Sequence, residues 1–194
     1  ESFPGYVAPI IRADAEAASG LRVDLAVFGL IPSWSKDRSI GRRTYNARTE
    51  TVAEKPSYRT AWRQRQFCLV PVERFFEPCW ETGKAVPWSI HRQDGEPFTV
   101  AAIWDRWTER ATGEIVVSFS MLTINAEGHP IMGRFHRPGD ERRSLVVVPP
   151  SRWTDWLSAT PDTVRAMLAE MPVAEFTSES VMGLSSAPAQ ASFL

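Results

Sequence analysis

The stretch FCLVPVERFFEPCW, residues 67–80, contains two apolar and aromatic runs in direct succession. Residues 67–72 and 75–80 each have the length and the residue types of a β-strand. In the second run alternate side chains lie on opposite faces, so Phe75, Glu77 and Cys79 share one face. The stretch therefore predicts two successive strands and places a carboxylate among aromatic side chains.

Strands are predicted on both sides of this stretch, and helices are few. The other predicted strands are residues 5–11, 21–30, 87–91, 98–104, 115–124 and 144–148. Helices are predicted over 51–65, 151–157 and 161–171, the last with Thr160 as its N-cap and Pro161 in its first position. Because strands predominate without βαβ alternation or an internal repeat, we expect an α+β fold. Its sheet should be curved, mostly antiparallel and barrel-like, with a few covering helices.

Length and composition indicate one globular domain. The chain has 194 residues, 43% of them hydrophobic, with 8 Trp and 10 Phe, which is enough to bury a core. We expect a single domain over 1–194, with the Ser-, Ala- and Pro-rich residues 185–194 as a flexible tail. No apolar run approaches the roughly 20 residues of a membrane helix, and no secretory signal is visible. A cytoplasmic monomer without a membrane partner is therefore expected.

The cysteines and histidines do not form a metal-binding pattern. Cys68 and Cys79 lack CxxC spacing and are too few for a disulfide framework. His91, His129 and His136 show no HExxH motif. We therefore predict neither a metal site nor a cofactor.

The charge of the chain is nearly balanced but unevenly distributed. The formal net charge is −1, yet residues 35–66 carry nine Lys or Arg against three acidic residues. A second basic group follows at residues 134–143. Such a face could bind phosphates through its local field and counterion release, or it could be a solvated Arg-rich helix. The charge pattern alone leaves both interpretations open.

Glu77 is the first candidate for proton transfer. A carboxylate among aromatic residues is poorly solvated, so its pKa should rise toward neutral pH, where it can donate and recover a proton. The alternative is a surface strand on which Glu77 pairs with an arginine.

Residues 46–51, NARTET, supply the next candidates. Asn46 offers an amide donor and acceptor, and Arg48 offers a fork for a phosphate oxygen. Glu50 lies two positions further along and could hold Arg48 in place. The alternative is a helix start capped by Thr49 or Thr51.

The remaining candidates each have a plain structural alternative. His136 lies in a loop and is suited to proton transfer, but it could be an ordinary solvated histidine, and His129 competes for the same role. Trp34 could stack on a base or belong to the core. Cys79 could be a nucleophile, although a buried inert thiol is the commoner case.

Taken together, these motifs resemble the SOS-response-associated peptidase (SRAP) family in their order and spacing, from about residue 6 to residue 157. The segments that carry the resemblance are FGLIPSW at 28–34, NARTET at 46–51, CLVP at 68–71, FFE at 75–77, AAIW at 101–104, and TINA at 123–126 followed by His136.

The resemblance implies a covalent reaction with DNA. Family members remove their initiator Met, and the exposed N-terminal Cys forms a thiazolidine with the aldehyde of an abasic site in single-stranded DNA. By resemblance, Asn46 positions the reacting groups, and Glu77 and His136 transfer protons. The resemblance also implies DNA-binding roles, which it assigns to Arg48, Trp34, Pro9, Arg59 and Arg142.

Two departures from the family pattern affect this expectation. The family begins Met-Cys-Gly-Arg, whereas this sequence begins ESFP, so we expect the chain as given to lack the nucleophile and to be inactive in crosslinking. After His136 the family's HDRMP is replaced by HRPGDERR, so either Arg142 or Arg143 could take the place of the usual arginine. A thiol peptidase using Cys68 or Cys79, and a DNA-binding module without chemistry, remain the alternatives.

Overall fold

Five strands close into a barrel in the computed structural model, which describes residues 3–181. The barrel strands are β1 (Val7–Ala13), β2 (Leu21–Phe28), β4 (Phe67–Val72), β7 (Phe98–Thr108) and β8 (Ile115–Asn125). They are hydrogen-bonded in the order β2-β1-β4-β7-β8, and a parallel β2–β8 pairing closes the ring. The other barrel pairings are antiparallel, so the predicted curved, barrel-like sheet is confirmed.

Two short strands pair with the end of β8 outside the barrel. Strand β3 (Asn46–Arg48) pairs in parallel with residues 121–123 of β8. Strand β9 (Arg143–Leu145) pairs antiparallel with residues 123–125. The end of β8 is therefore flanked by both short strands.

A separate antiparallel sheet carries the strand that contains Glu77. Its strands are β5 (Arg74–Cys79), β6 (Val86–Arg92) and β10 (Phe176–Ser180), in the order β10-β6-β5. An isolated bridge from Cys79 to Phe135 joins this sheet to the segment before His136.

The core has two main layers, one on each face of the barrel strands. All five barrel strands contribute to one cluster, which continues onto the three-stranded sheet through Ile90 and Phe176. The opposite faces of β4, β7 and β8 are covered by α1 (Arg59–Arg63), α2 (Trp153–Ser158) and α3 (Pro161–Arg165). Trp156 fixes this layer, since its indole donates to the carbonyl of Cys68 at 3.0 Å.

The helix predicted over residues 51–65 is wrong in extent, because only Arg59–Arg63 is helical. Residues 49–58 form successive turns and bends, and Pro56 disfavours the helical conformation of the residue before it. The helix predicted over 161–171 ends at Arg165, after which the chain places Met171 in the core. The predicted Thr160 cap and first-position Pro161 are confirmed, and Thr160 forms a capping box with Thr163.

Gly29 and Gly41 bring the end of β2 against the segment that leads into β3. Gly29 has a φ of +112°, and a Cβ built on it would lie 2.2 Å from the carbonyl oxygen of Gly41. Next to this contact, Leu30 donates its backbone N–H to the carbonyl of Thr44. The contact therefore sets where residues 44–48 run beside β8.

Replacing Gly29 with alanine is expected to destabilise the protein by about 3 kcal/mol or more, because the new Cβ meets rigid backbone as well as an unfavourable φ. Gly5→Ala is the matched control, since Gly5 has a φ of +98° but nothing lies within 4 Å of the position that a Cβ would take there. Denaturant unfolding of both variants should show the larger loss for Gly29→Ala. Equal losses would mean that the close approach to Gly41 contributes nothing.

Candidate active site

Strand β3 presents Asn46 and Arg48 on one exposed face. Ala47 between them is fully buried, so the alternation of the strand directs its two neighbours outward together. The parallel register places Arg48 opposite Thr123 of β8. Pairing with β8, rather than a helix start, therefore sets the position of the amide and the guanidinium.

Glu77 and His136 meet across two different parts of the chain. Glu77 lies on β5, and the His136 Nε2 is 3.6 Å from its Oε2. The backbone N–H of His136 donates to the carbonyl of Pro78 at 3.0 Å, which fixes the loop against β5. His136 also has a φ of +73°, a conformation uncommon for residues other than glycine. Strained backbone of this kind is frequent at functional sites.

One cavity of about 200 Å³ joins these side chains. Its lining consists of Asn46, Arg48, Glu77, Thr123, His136, Arg143, Ser144 and Leu145. The structure therefore brings together the three residues predicted to be catalytic and one arginine predicted to bind DNA.

Burial changes the protonation of both members of the Glu77–His136 pair. It raises the pKa of Glu77 to about 7 because the charged carboxylate is poorly solvated. It lowers the pKa of His136 because the imidazolium form is disfavoured in the same way. The predicted rise for Glu77 is thus confirmed. Near neutral pH the carboxyl group can donate a proton, and the neutral imidazole can accept one.

The arginines at the cavity belong to one network of ion pairs. Glu141 contacts Arg48 at 2.7 Å and Arg143 at 2.7 Å. Glu50 contacts Arg143 at 2.9 Å. The expectation that Glu50 holds Arg48 is therefore wrong, since Glu50 pairs across β8 with Arg143.

Arg143 lines the cavity, and Arg142 does not. Arg142 donates from Nε to the carbonyl of Gly133 at 3.1 Å and from Nη1 to the carbonyl of Asp140 at 3.1 Å. Its guanidinium therefore stabilises the loop after His136 through these two hydrogen bonds. Of the two arginines left open by the sequence, the structure brings Arg143 to the other site residues.

His129 has a structural environment that separates it from His136. It is 3% exposed, and its Nδ1 accepts the backbone N–H groups of Ile131 and Met132. Its Nε2 must then carry the proton that is donated to the carbonyl of Met171 at 2.7 Å. His129 holds two loops together and is not among the residues that line the cavity.

A second depression of about 430 Å³ adjoins the first and shares Asn46 and Arg48 with it. Arg43, Lys55 and Pro56 also line it. Its location was not evident from the sequence, because half of its lining residues lie in turns and bends within the segment that was predicted to be a helix. The feature of the sequence that pointed to this surface was the basic run over residues 35–66.

The three other predicted DNA-contacting residues lie outside both cavities. Trp34 is 51% exposed, and its indole donates to the carbonyl of Pro56 at the second depression. The core alternative for Trp34 is therefore wrong. Pro9 is exposed on β1 opposite Leu25, and Arg59 is exposed on α1. The structure does not bring Pro9 or Arg59 to the cavity lining.

Both cysteines are buried, and burial raises the pKa of the Cys68 thiol. A reactive cysteine needs an accessible thiolate, so this environment does not favour the thiol-peptidase alternative. Within residues 3–181 no group of three or more His, Cys, Asp or Glu side chains is arranged to hold a metal ion. Over the same residues, every helix is too short or too polar to cross a membrane.

Comparison with known proteins identifies the family. Residues 1–184 match the family model described as SOS response associated peptidase (SRAP). The chain belongs to the SRAP family. This membership confirms the resemblance drawn from the segments between residues 28 and 136.

Relatives and solved structures agree with this membership. The abasic site processing protein YoaM of Bacillus subtilis is 27% identical over 197 residues, which cover 97% of this chain and 82% of that protein. The abasic site processing protein HMCES of Gallus gallus is 24% identical over 137 residues, covering 60% of this chain and 40% of that protein. A crystal structure from Bordetella bronchiseptica has a TM-score of 0.85 at 33% identity, covering 92% of this chain and 85% of that one.

The raised pKa of Glu77 predicts a specific pH dependence of stability. The native state binds this proton more tightly than the unfolded state, so its contribution is full below pH 4.5 and is lost as pH rises through about 7. Glu77→Gln cannot ionise, and we expect it to be more stable than the wild type by up to about 3 kcal/mol at pH 8.5. Near pH 4.5 it should show little such gain.

Denaturant unfolding between pH 4.5 and 8.5 tests this expectation. Glu81→Gln is the control, because Arg134 beside Glu81 lowers the pKa of that carboxyl group and no alkaline gain should follow. If Glu77→Gln gains no stability over the wild type as the pH rises, Glu77 does not ionise in a poorly solvated position.

Proposed function

We propose that this domain belongs to a protein that recognises abasic sites in single-stranded DNA and links itself to them covalently. The observation that carries the proposal is the Glu77–His136 pair, which shares one cavity with Asn46 and Arg48. This arrangement combines a proton-transfer pair with an anion-binding guanidinium. The names of the relatives YoaM and HMCES support abasic sites as the target.

The chemistry begins with the sugar. An abasic deoxyribose is mostly a closed hemiacetal, and opening it to the aldehyde requires one proton to leave a hydroxyl group and another to reach the ring oxygen. Neutral His136 accepts the first proton, and protonated Glu77 donates the second. Asn46 holds the sugar hydroxyl groups through its amide.

The covalent steps then use an N-terminal cysteine, as the family resemblance implies. His136 first returns its proton to Glu77. The cysteine amine adds to the aldehyde carbon, and a proton moves from nitrogen to oxygen to give a carbinolamine. Glu77 then protonates the hydroxyl group, which leaves as water, and the remaining N–H proton returns to Glu77 to give an imine. The thiol adds to the same carbon, its proton passes to the nitrogen, and a thiazolidine ring closes. We assign this cysteine to the start of the full-length protein, where removal of the initiator Met exposes it.

The two adjoining cavities define the proposed course of the DNA. Arg48 lies between them, and Arg43 and Lys55 add positive charge to the second. Trp34 offers an exposed indole beside that second depression, where a neighbouring base can stack on it. The abasic sugar would occupy the smaller cavity and its 3′ or 5′ neighbour the larger one.

The proposal is tested with the protein expressed from its native start codon. Mixed with single-stranded DNA that carries one abasic site, it should give a shifted band on a denaturing gel, and replacing the N-terminal cysteine should abolish that band. Glu77→Gln should slow crosslinking by about a hundredfold or more, since general acid catalysis contributes at least that much.

Three other results would each contradict part of this proposal. Normal crosslinking by Glu77→Gln would remove Glu77 from the mechanism. Salt-sensitive DNA binding without any crosslink would indicate that the protein is a DNA-binding module without crosslinking chemistry. Absence of both, with thiol-dependent cleavage of proteins, would restore the peptidase alternative.

Arg48 is expected to contribute through a phosphate contact. Arg48→Gln should weaken binding of the 194-residue chain to single-stranded DNA and lower the slope of log K against log salt by about 0.7. Arg110→Gln, in the exposed turn between β7 and β8, removes the same charge far from the cavity. Fluorescence anisotropy at several salt concentrations compares the two. Equal slopes for both variants would show that Arg48 acts only through net charge.

A further inference from the structure

We propose that Glu141 is a built-in competitor for DNA phosphate, whose carboxylate occupies the guanidinium of Arg48 in the free protein and leaves when a phosphate binds. This inference rests on the proposed DNA-binding function and adds a control on the same site. It arises from the ion-pair network at the cavity, in which Glu141 takes the partner position expected for Glu50.

The carboxylate of Glu141 bridges two arginines. Its Oε2 lies 2.7 Å from Nη1 of Arg48, and its Oε1 lies 2.7 Å from Nη1 of Arg143. A phosphodiester likewise presents two oxygens on one central atom, and each can accept a hydrogen bond from a guanidinium. Glu141 thus holds the same kind of contact that a DNA phosphate would make with Arg48.

The two arginines differ in how firmly they are held. The Arg143 side chain is only 11% exposed, and it also donates to both carboxylate oxygens of Glu50 and to the carbonyl of Thr123. The Arg48 side chain is 59% exposed, and within residues 3–181 Glu141 is its one ion-pair partner. Arg143 is therefore the fixed anchor of Glu141, and Arg48 is the exchangeable end.

The loop after His136 presents Glu141 to Arg48. The hydrogen bonds from the Arg142 guanidinium to the carbonyls of Gly133 and Asp140 hold the loop on one side of Glu141. On the other side, the backbone N–H of Ala126 donates to the carbonyl of Arg142, which fixes this residue, next to Glu141, against the end of β8. Because the backbone is anchored on both sides of Glu141, side-chain rotation alone can release Arg48 while the contact with Arg143 remains.

Competition of this kind reduces the affinity for isolated phosphates. A single phosphate gains only the difference between its own contact with Arg48 and the contact that Glu141 gives up. A DNA strand adds contacts at Arg43, Lys55 and Trp34 that meet no such competitor in the two cavities. Glu141 therefore lowers the affinity for every phosphate that binds Arg48, and an extended polynucleotide retains affinity through its other contacts.

The test compares Glu141→Gln with Glu114→Gln in the 194-residue chain. Glu114 also pairs with an arginine, Arg38, and is exposed at the surface, but it lies just before the start of β8, away from the cavity at the strand's end. Both variants change the net charge equally. The probes are a labelled single-stranded oligonucleotide, read by anisotropy, and inorganic phosphate, followed through the Arg48 Nε–H signal in NMR spectra. Thermal unfolding checks that all variants are folded.

We expect Glu141→Gln to bind both probes about two- to fivefold more tightly than the wild type, the range that an exposed ion pair supplies. Glu114→Gln should stay close to the wild type. In an Arg48→Gln background the gain from Glu141→Gln should disappear, because the guanidinium for which Glu141 and phosphate compete is then absent.

Equal or weaker binding by Glu141→Gln would overturn the proposal and leave Glu141 as a structural support of Arg143. A gain that persists without Arg48 would also overturn it. If no variant binds the oligonucleotide while phosphate still distinguishes Glu141→Gln from the wild type, the DNA function fails and the competition at Arg48 stands.

Discussion

Strand β8 pairs with four other strands, and the geometry of the cavity depends on this shared pairing. Strands β2 and β3 follow one another in parallel along β8, at residues 118–119 and 121–123. Strands β7 and β9 pair with it antiparallel, β9 at residues 123–125. Since every backbone polar group of a buried strand needs a partner, this arrangement leaves β3 and β9 little freedom of register. It thereby holds Arg48 opposite Thr123 on one side of β8 and Arg143 opposite Asn125 on the other.

The cavity itself departs from the rules that stabilise the rest of the molecule. A partly buried carboxyl group lies beside an imidazole, and the histidine adopts a left-handed backbone conformation. Both features reduce stability, and the two hydrophobic layers of the barrel provide the rigid surroundings in which they persist. An environment that disfavours the charged form of each group raises the pKa of Glu77 and lowers that of His136, so protonated Glu77 can lie beside neutral His136 near neutral pH. This pairing of a protonated acid with a neutral base is the physical basis of the proposed proton transfer.

Much of the fold followed from local patterns in the sequence. The apolar runs in residues 67–72, 98–104 and 115–124 correspond to β4, β7 and β8, because buried barrel strands need little beyond length and β-propensity. Strand β3 was missed because three residues carry no periodicity and its strand conformation comes from β8. The helix over 51–65 was overextended because Pro56 acts through backbone sterics against an otherwise helical pattern.

The candidate site was predictable in its members but not in its pairings. Asn46, Glu77 and His136 were identified from their residue types and family motifs, and the structure places them in one cavity. The partner of Glu50 could not be predicted, because Arg143 is 93 residues away in sequence. Arg142 and Arg143 are adjacent, and only the start of β9 at Arg143 decides which one faces the cavity.

The most direct measurement is the titration of Glu77 itself, read from its side-chain carboxyl ¹³C signal in NMR spectra and assigned by its absence in Glu77→Gln. A partly buried carboxyl group that shares a cavity with a neutral imidazole should titrate with a midpoint near 7. A midpoint near 4.5, the ordinary value for glutamic acid, would mean that Glu77 is ionised throughout the neutral range. The proton-transfer role at the centre of the proposed mechanism would then be contradicted.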